Sequence, residues 1–383
     1  MLNILFVFHD NNIYSGASRS LLDIIETIKK NEGVRITAVV PTQSGDVYAY
    51  LEKIGVKAIA SNYYSLFVKY PMRFEDYLHL PINFLRYFQT YFAAYKVSKI
   101  VKNTNIVYNN TSVNFMGLFI HKFLNNTKLI WHIREFCEED QSIMPLFGRK
   151  RFVQNLNKAD NIIFISKTLQ NKYKEMIDLD KSHVLFNDIS PRNINMCDRK
   201  ENNRLNILIA GRVCEEKGQF DAIKAVKMAI DSGADVDLYL AGSYREDAYY
   251  NTINDYIHVN QLEDRVHFLG MVKNLKDIRR EMDIGIVASK MEAFGRVTIE
   301  GMLSKMCIIG ADCGGTAELI KNNETGFLYR NNDVEKMSQI IIALYTDRKL
   351  LRRIQVSGYE YALQFTEGRT AHAIEKLMYE SCN

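Results

Sequence analysis

No stretch of this chain approaches 18 consecutive apolar residues, so nothing in it reads as a membrane-spanning helix. The six cysteines, Cys137, Cys197, Cys214, Cys307, Cys313 and Cys382, form no C-x-x-C pair and have no histidine at zinc spacing. They read as reduced thiols, which points to the cytoplasm and away from a disulfide scaffold or zinc module. No G-x-G-x-x-G follows any strand, which argues against a bound dinucleotide; G-x-x-x-x-G-K-[ST], H-E-x-x-H and G-x-S-x-G are missing as well. No low-complexity tract or short repeat occurs. The start, MLNILFVFHD, lacks a basic n-region and a cleavage site and reads as a first strand, not a signal peptide. Two D-x-D triplets, Asp178/Asp180 and Asp235/Asp237, fall in a turn and at the start of a strand. Neither reads as a metal site, and no metal is expected.

What is present is ordinary globular composition, with 47% hydrophobic and 25% charged residues over 383 positions, a length that suggests two domains. The net charge of +4 is unevenly spread: residues 1–190 hold 23 Lys and Arg against 17 Asp and Glu, and residues 191–383 hold 26 against 28. Between 51 and 130 there are 10 basic and 3 acidic residues. Such a patch suits an anionic surface or partner, although a solvated helix face would read the same way.

Short apolar runs alternate with helical spacing throughout, the pattern of a parallel sheet built from βαβ units. The runs are 2–8, 34–40, 56–60, 105–109, 127–133, 160–166 and 182–186, then 205–211, 236–242, 264–270, 282–288, 305–311 and 325–329. Between the two sets, residues 187–204 carry no periodicity and read as a linker. This gives an α/β protein of two doubly wound, Rossmann-like domains, 1–186 and 205–366, with an interdomain cleft for ligand. Helices at about 333–345, 347–364 and 367–381 close the chain. The segment 73–102 is aromatic and basic, and Pro81 is expected to break or kink it.

The most telling stretch is Ser289 to Gly301, S-K-M-E-A-F-G-R-V-T-I-E-G, between the strand MDIGIVA and a helix from Arg296. A turn into a helix N-terminus presents backbone N–H groups to a phosphate, and Gly295 admits a ligand close to the backbone. Glu292 lies in the loop and Glu300 eight residues on, one carboxylate on each side of a candidate diphosphate. A second stretch, Ala210 to Gly218, A-G-R-V-C-E-E-K-G, follows the strand LNILI. Its Arg212 and Lys217 suit two phosphates, Arg as a fork and Lys as a point charge. A third, Asp312 to Glu318, D-C-G-G-T-A-E, can form an anion nest through Gly314 and Gly315. In the first half, Gly16 lies in a loop that opens a helix, and His132 ends the strand TKLIWHI.

Together G-R-x4-K-G, S-x-x-E-x-F-G-x-x-x-x-E and G-G-T-A-E resemble the motifs of the retaining GT-B glycosyltransferases of family 4, in that family's order and across the C-terminal half. The resemblance implies a nucleotide-sugar donor, UDP-linked by preference, held by Gly211, Arg212 and Lys217 at the diphosphate. It implies Glu300 on the ribose, Glu292 on the donor sugar, and backbone amides around Phe294, Gly295, Arg296 and Val297 capping the phosphates. Met271 would lie by the base, His132 would reach the donor sugar from the other domain, and Gly16 would let the first loop approach phosphate and acceptor. Glu292, His132, Arg212 and Lys217 are thus the expected catalytic set. No metal or cofactor is implied, the nucleotide-sugar being a substrate, and the helix at about 367–383 is expected to pack back on the first domain. Ala293 stands where Pro is frequent, Gly301 where Ala is, and the first loop has one Gly where two are common.

The expected activity is sugar transfer to a glycan or lipid-linked acceptor in bacterial cell-surface polysaccharide (capsule) synthesis, with no nucleic-acid partner. The aromatic, basic segment 63–102 would meet an anionic membrane surface from the cytoplasmic side. The rivals are a nucleotide-sugar epimerase of the same fold and a non-catalytic partner subunit. The first would need acid/base carboxylates and a histidine converging on the sugar; the second need not keep Arg212, Lys217, Glu292 and Glu300 together.

Overall fold

A computed structural model of the chain describes residues 1–195 and 203–382. The middle of the 187–204 segment, with Cys197, lies outside the described residues. The chain forms two compact units, Met1–Asp188 with the residues from Gly368 onward, and Ile189–Glu367.

The first unit holds β1 (Leu2–Val7), β2 (Val34–Val40), β3 (Lys57–Ala60), β4 (Phe67–Lys69), β5 (Ile106–Asn110), β6 (Lys128–Ile133), β7 (Ile143–Pro145), β8 (Asn161–Phe164) and β9 (Ser182–Val184). Seven of these form one parallel sheet in the order β3-β2-β1-β5-β6-β8-β9. Its central strands are apolar on both faces because helices cover both. Leu5, Phe6 and Val7 of β1 are all fully buried. The last helix, Arg369–Cys382, sends Ala371, Ile374 and Met378 into the same core as Leu21, Leu22 and Ile25 of the helix Gly16–Ile28. Asp188 holds its start by accepting from the Thr370 and Ala371 N–H groups at 3.2 and 2.8 Å.

The second unit holds β10 (Leu205–Ala210), β11 (Val236–Ala241), β12 (Val266–Gly270), β13 (Ile284–Val287), β14 (Cys307–Ala311) and β15 (Phe327–Tyr329), all parallel, in the order β12-β11-β10-β13-β14-β15. In both sheets the order reverses beside the first strand, between β1 and β5 and between β10 and β13. That is where an open α/β sheet offers a crevice. Each unit is therefore a doubly wound, Rossmann-like α/β layer structure, with strand ends within two residues of those read from the sequence.

Pro81 divides the 73–102 segment: a 3-10 turn covers Phe74–His79, and a separate 21-residue helix, Leu80–Ile100, starts with Pro81 in its first turn. There its missing N–H would have had no partner anyway. One feature departs from the sequence reading: the antiparallel pair β4 and β7 was not foreseen, because three-residue strands 74 positions apart leave no local signal. Among the described residues no helix is long and apolar enough to cross a membrane.

Candidate functional site

In the second unit, three loops leave the C-terminal ends of β10, β13 and β14. The first, Gly211 to Gly218, ends with Gly218 at φ +69°, capping the helix Gln219–Asp231. A Cβ at Gly218 would lie 2.2 Å from the Ala288 carbonyl oxygen, so only glycine lets this loop lie against the end of β13. The Lys290 N–H donates to the Glu216 carbonyl at 2.9 Å, and Lys290 pairs with Glu215 at 2.6 Å.

The second loop, Ser289 to Gly295, ends at Gly295, φ +88°, the N-cap of the helix Arg296–Met302. The third brings the Gly314–Leu319 helix against it: Gly315 N–H donates to the Glu292 carbonyl at 2.6 Å, and a Cβ on Gly315 would stand 2.6 Å from Phe294 Cα. Cys313 Sγ reaches the Ser289 carbonyl at 3.3 Å, and burial, with the charges of Glu292 and Asp312, pushes its thiol up to about 11. Beneath the Gly295 turn, the Thr298 and Thr316 hydroxyls are buried with no hydrogen-bond partner among the described residues.

Across these loops run the charges. Lys217 Nζ donates to Glu292 Oε1, which also accepts from Ser289 Oγ at 2.6 Å. Arg212 is exposed on the first loop, whose shape is fixed by Gln219 Nε2 donating to the Arg212 carbonyl at 2.9 Å. Glu300, one turn into its helix, accepts from Arg279 on one oxygen and pairs with Arg296 at 3.4 Å on the other. Burial alone would raise its carboxyl; the charges of Arg279 and Arg296 and their hydrogen bonds outweigh that and hold it below the usual carboxylate range. Phe294 is buried against Phe365, with ring centroids 6.3 Å apart; Val297 is half-buried, and Met271 is exposed just after β12. Gly301 is a packing choice as well, since a Cβ there would meet Ile308 Cδ1 at 2.6 Å.

Of the residues singled out from sequence, the structure thus gathers Lys217, Glu292, Phe294, Gly295, Arg296, Val297 and Glu300, with Gly211 and Arg212 on the adjoining loop. Arg279 was missed. It sits on the helix Leu275–Arg280, 21 positions from its carboxylate, where spacing carries no hint. The Asp235/Asp237 triplet pairs with Arg204 and Arg265 at 2.6–3.1 Å, which leaves these aspartates neutralised by protein cations.

In the first unit, the ends of β1, β5 and β6 carry a second polar cluster. His132 is fully buried; its Nδ1 takes hydrogen bonds from Tyr108 Oη and, at 3.2 Å, from Arg134 Nη2. Burial, then the Arg134 charge, pushes the imidazole well below its ordinary value, so it is neutral. With Nδ1 accepting, the proton resides on Nε2, a buried atom with no partner among the described residues. Gly16 is exposed at the start of its helix. Close by in sequence, Asp10 accepts from Ser18 Oγ at 2.5 Å and pairs with His9 at 3.1 Å. Glu135, buried, accepts from Ser112 N–H at 2.7 Å, and burial raises its carboxyl. His9, Asp10 and Glu135 were not singled out from sequence; their one signal is a position just past a strand's C-terminus.

Residues 197–361 match the family model described as glycosyl transferases group 1. An uncharacterized glycosyltransferase of Methanocaldococcus jannaschii is 23% identical over 75% of this chain and 79% of its own length. The Staphylococcus aureus capsular polysaccharide biosynthesis glycosyltransferase CapM is 26% identical over 60% of this chain, which spans 58% of CapM, less than two thirds of it. The crystal structure of Anabaena HepE in complex with UDP and glucose superposes with a TM-score of 0.79 over 99% of this chain and 100% of that one, at 19% identity. At that identity the likeness speaks for the fold, which is of the GT-B type.

Proposed function

We propose, from the membership of residues 197–361 in the glycosyl transferases group 1 family, that this protein transfers a sugar from a UDP-sugar to a glycan or lipid-linked acceptor in bacterial cell-surface polysaccharide synthesis. The observation that carries the reading is the Lys217–Glu292 pair spanning two loops at the point where the second sheet's strand order reverses. A lysine and an exposed arginine beside a helix start suit a diphosphate. CapM's place in capsular polysaccharide biosynthesis supports the polysaccharide context, and the UDP bound to HepE supports the donor class.

In this reading the donor diphosphate displaces Glu292 from Lys217, and the freed carboxylate turns to the donor sugar's hydroxyls. Arg212 and Lys217 meet the charge that develops as the sugar–phosphate bond breaks, the work a metal ion does elsewhere. The acceptor oxygen bonds to the anomeric carbon on the face the phosphate leaves, and its proton passes to a phosphate oxygen, so configuration is retained. Glu300, oriented by Arg279 and Arg296, accepts from the ribose hydroxyls. Phe294, Gly295, Arg296 and Val297 offer backbone amides to phosphate, and Met271 flanks the base. His132 offers its Nε2–H to a ligand hydroxyl.

A thermal-shift screen with UDP, GDP, ADP and their sugars, with and without EDTA, tests this. A ligand at 100 times its Kd adds about 2.7 kcal/mol of stability. The expected result is a shift from UDP ligands, unchanged by EDTA and lost in Arg212→Ala. A response to no nucleotide would overturn the reading, and consumption of UDP-sugar without acceptor would favour epimerisation.

A further inference from the structure

The helix Leu80–Ile100 in the first unit has its polarity reversed. It turns Thr90, Ala93, Ala94, Val97 and Ser98 inward, while Leu85, Phe88 and Phe92 stand 54–62% exposed. Beside it lies a cavity of about 860 Å³ walled by Phe84, Tyr87, Phe88, Tyr91, Phe119 and Phe147. The wall is built: Tyr87 sets its ring edge-on to Phe119 and Phe147, both at 5.3 Å. Phe147 is held at φ +73°, a conformation bulky residues rarely adopt, and the residue is 47% exposed. Lys122, Arg151 and Lys158 also line the cavity, and none of its lining residues among those described is acidic. Among the described residues these three cations meet neutral groups: the Tyr91 ring, Gln154 and Asn155.

We propose that this cavity seats a membrane lipid, its hydrocarbon chain among the aromatic rings and its anionic phosphate against Lys122, Arg151 and Lys158. Charge decides between occupants. Residues 77–134 contain seven Lys and Arg and no Asp or Glu. A second copy of this chain would therefore set like charges face to face, whereas an anionic lipid surface complements them. The exposed aromatic and leucine side chains of the helix enter the headgroup boundary, the arrangement of a helix lying on a membrane. This seat rests on nothing in the donor-site reading, and the two fail separately.

The test is flotation of the full chain with phosphatidylcholine vesicles, with and without phosphatidylglycerol, for the wild type, Phe88→Glu, and the triple variant K122Q/R151Q/K158Q. Far-UV circular dichroism and the thermal midpoint check folding. Phe88 is already half-exposed, so its replacement leaves the core intact. Expected are binding to the anionic vesicles only, a loss of at least about tenfold in Phe88→Glu, and about fivefold per cation removed. A parallel titration uses decyl phosphate and inorganic phosphate; only the former is expected to bind. Equal binding of the two, vesicle binding indifferent to Phe88→Glu, or self-association abolished by Phe88→Glu without lipid binding would each overturn the proposal.

Discussion

Replacing Gly218 with alanine tests whether the loop carrying Arg212 and Lys217 is held by backbone contact. Two costs add. A residue with a Cβ at φ +69° pays about 1–2 kcal/mol for the left-handed conformation. The new Cβ also lies 2.2 Å from the Ala288 carbonyl oxygen, far inside contact distance, and overpacking against a backbone that cannot step aside costs about 1–3 kcal/mol more. Gly233 is the control: its φ is +88° and a Cβ there would meet nothing within 4 Å, so Gly233→Ala incurs the first cost alone. Differential scanning calorimetry, fitted with separate transitions for the two units, should show Gly233→Ala lowering the second unit's midpoint by about 2–8 °C. Gly218→Ala should lower it by roughly twice that and abolish the nucleotide-induced shift, which Gly233→Ala keeps. Equal midpoints for the two variants, with an intact nucleotide response in Gly218→Ala, would refute the argument.

Lys217→Met should change the unliganded midpoint little, since a partly exposed ion pair contributes at most about 1 kcal/mol, yet slow sugar transfer by about 10²–10³-fold in a steady-state assay. His132 makes the first unit acid-sensitive. Its folded pKa lies below the ordinary 6.5, so the unfolded chain binds the extra proton and stability falls as pH drops below about 6.5. The slope is about 1.4 kcal/mol per pH unit, and urea titrations between pH 7 and 5 should find it reduced in His132→Asn. Asp188→Ala removes two hydrogen bonds at the start of the last helix and should cost about 1–2 kcal/mol, visible as faster amide exchange in residues 369–382.

The parallel sheets were legible because each strand is a local apolar run and each ends in a turn with its own chemistry. The loops 211–218, 289–295 and 312–316 announced themselves the same way, by glycines and charges within nine residues of a strand. What escaped was non-local. Arg279 orients Glu300 from another helix, and β4 finds β7 across 74 positions. His132 and Arg134 stand two residues apart in the sequence, but nothing local shows that Tyr108 from the neighbouring strand joins Arg134 on the same imidazole nitrogen. The helix Leu80–Ile100 was legible only in part: its composition marks an aromatic, basic segment, and the fold adds that its small residues face inward.

The last helix has a consequence for how the protein is made. Ala371, Ile374 and Met378 complete a core whose other fully buried members lie before residue 164. On the ribosome, the N-terminal sheet therefore waits, one wall open, while the whole of Ile189–Glu367 emerges and is free to fold first. A released chain truncated near residue 367 would carry a complete second unit joined to a first with Leu21, Leu22 and Ile25 uncovered. Such an intermediate is a natural client for chaperones, and overexpression should reveal it as aggregation seeded by the end made first.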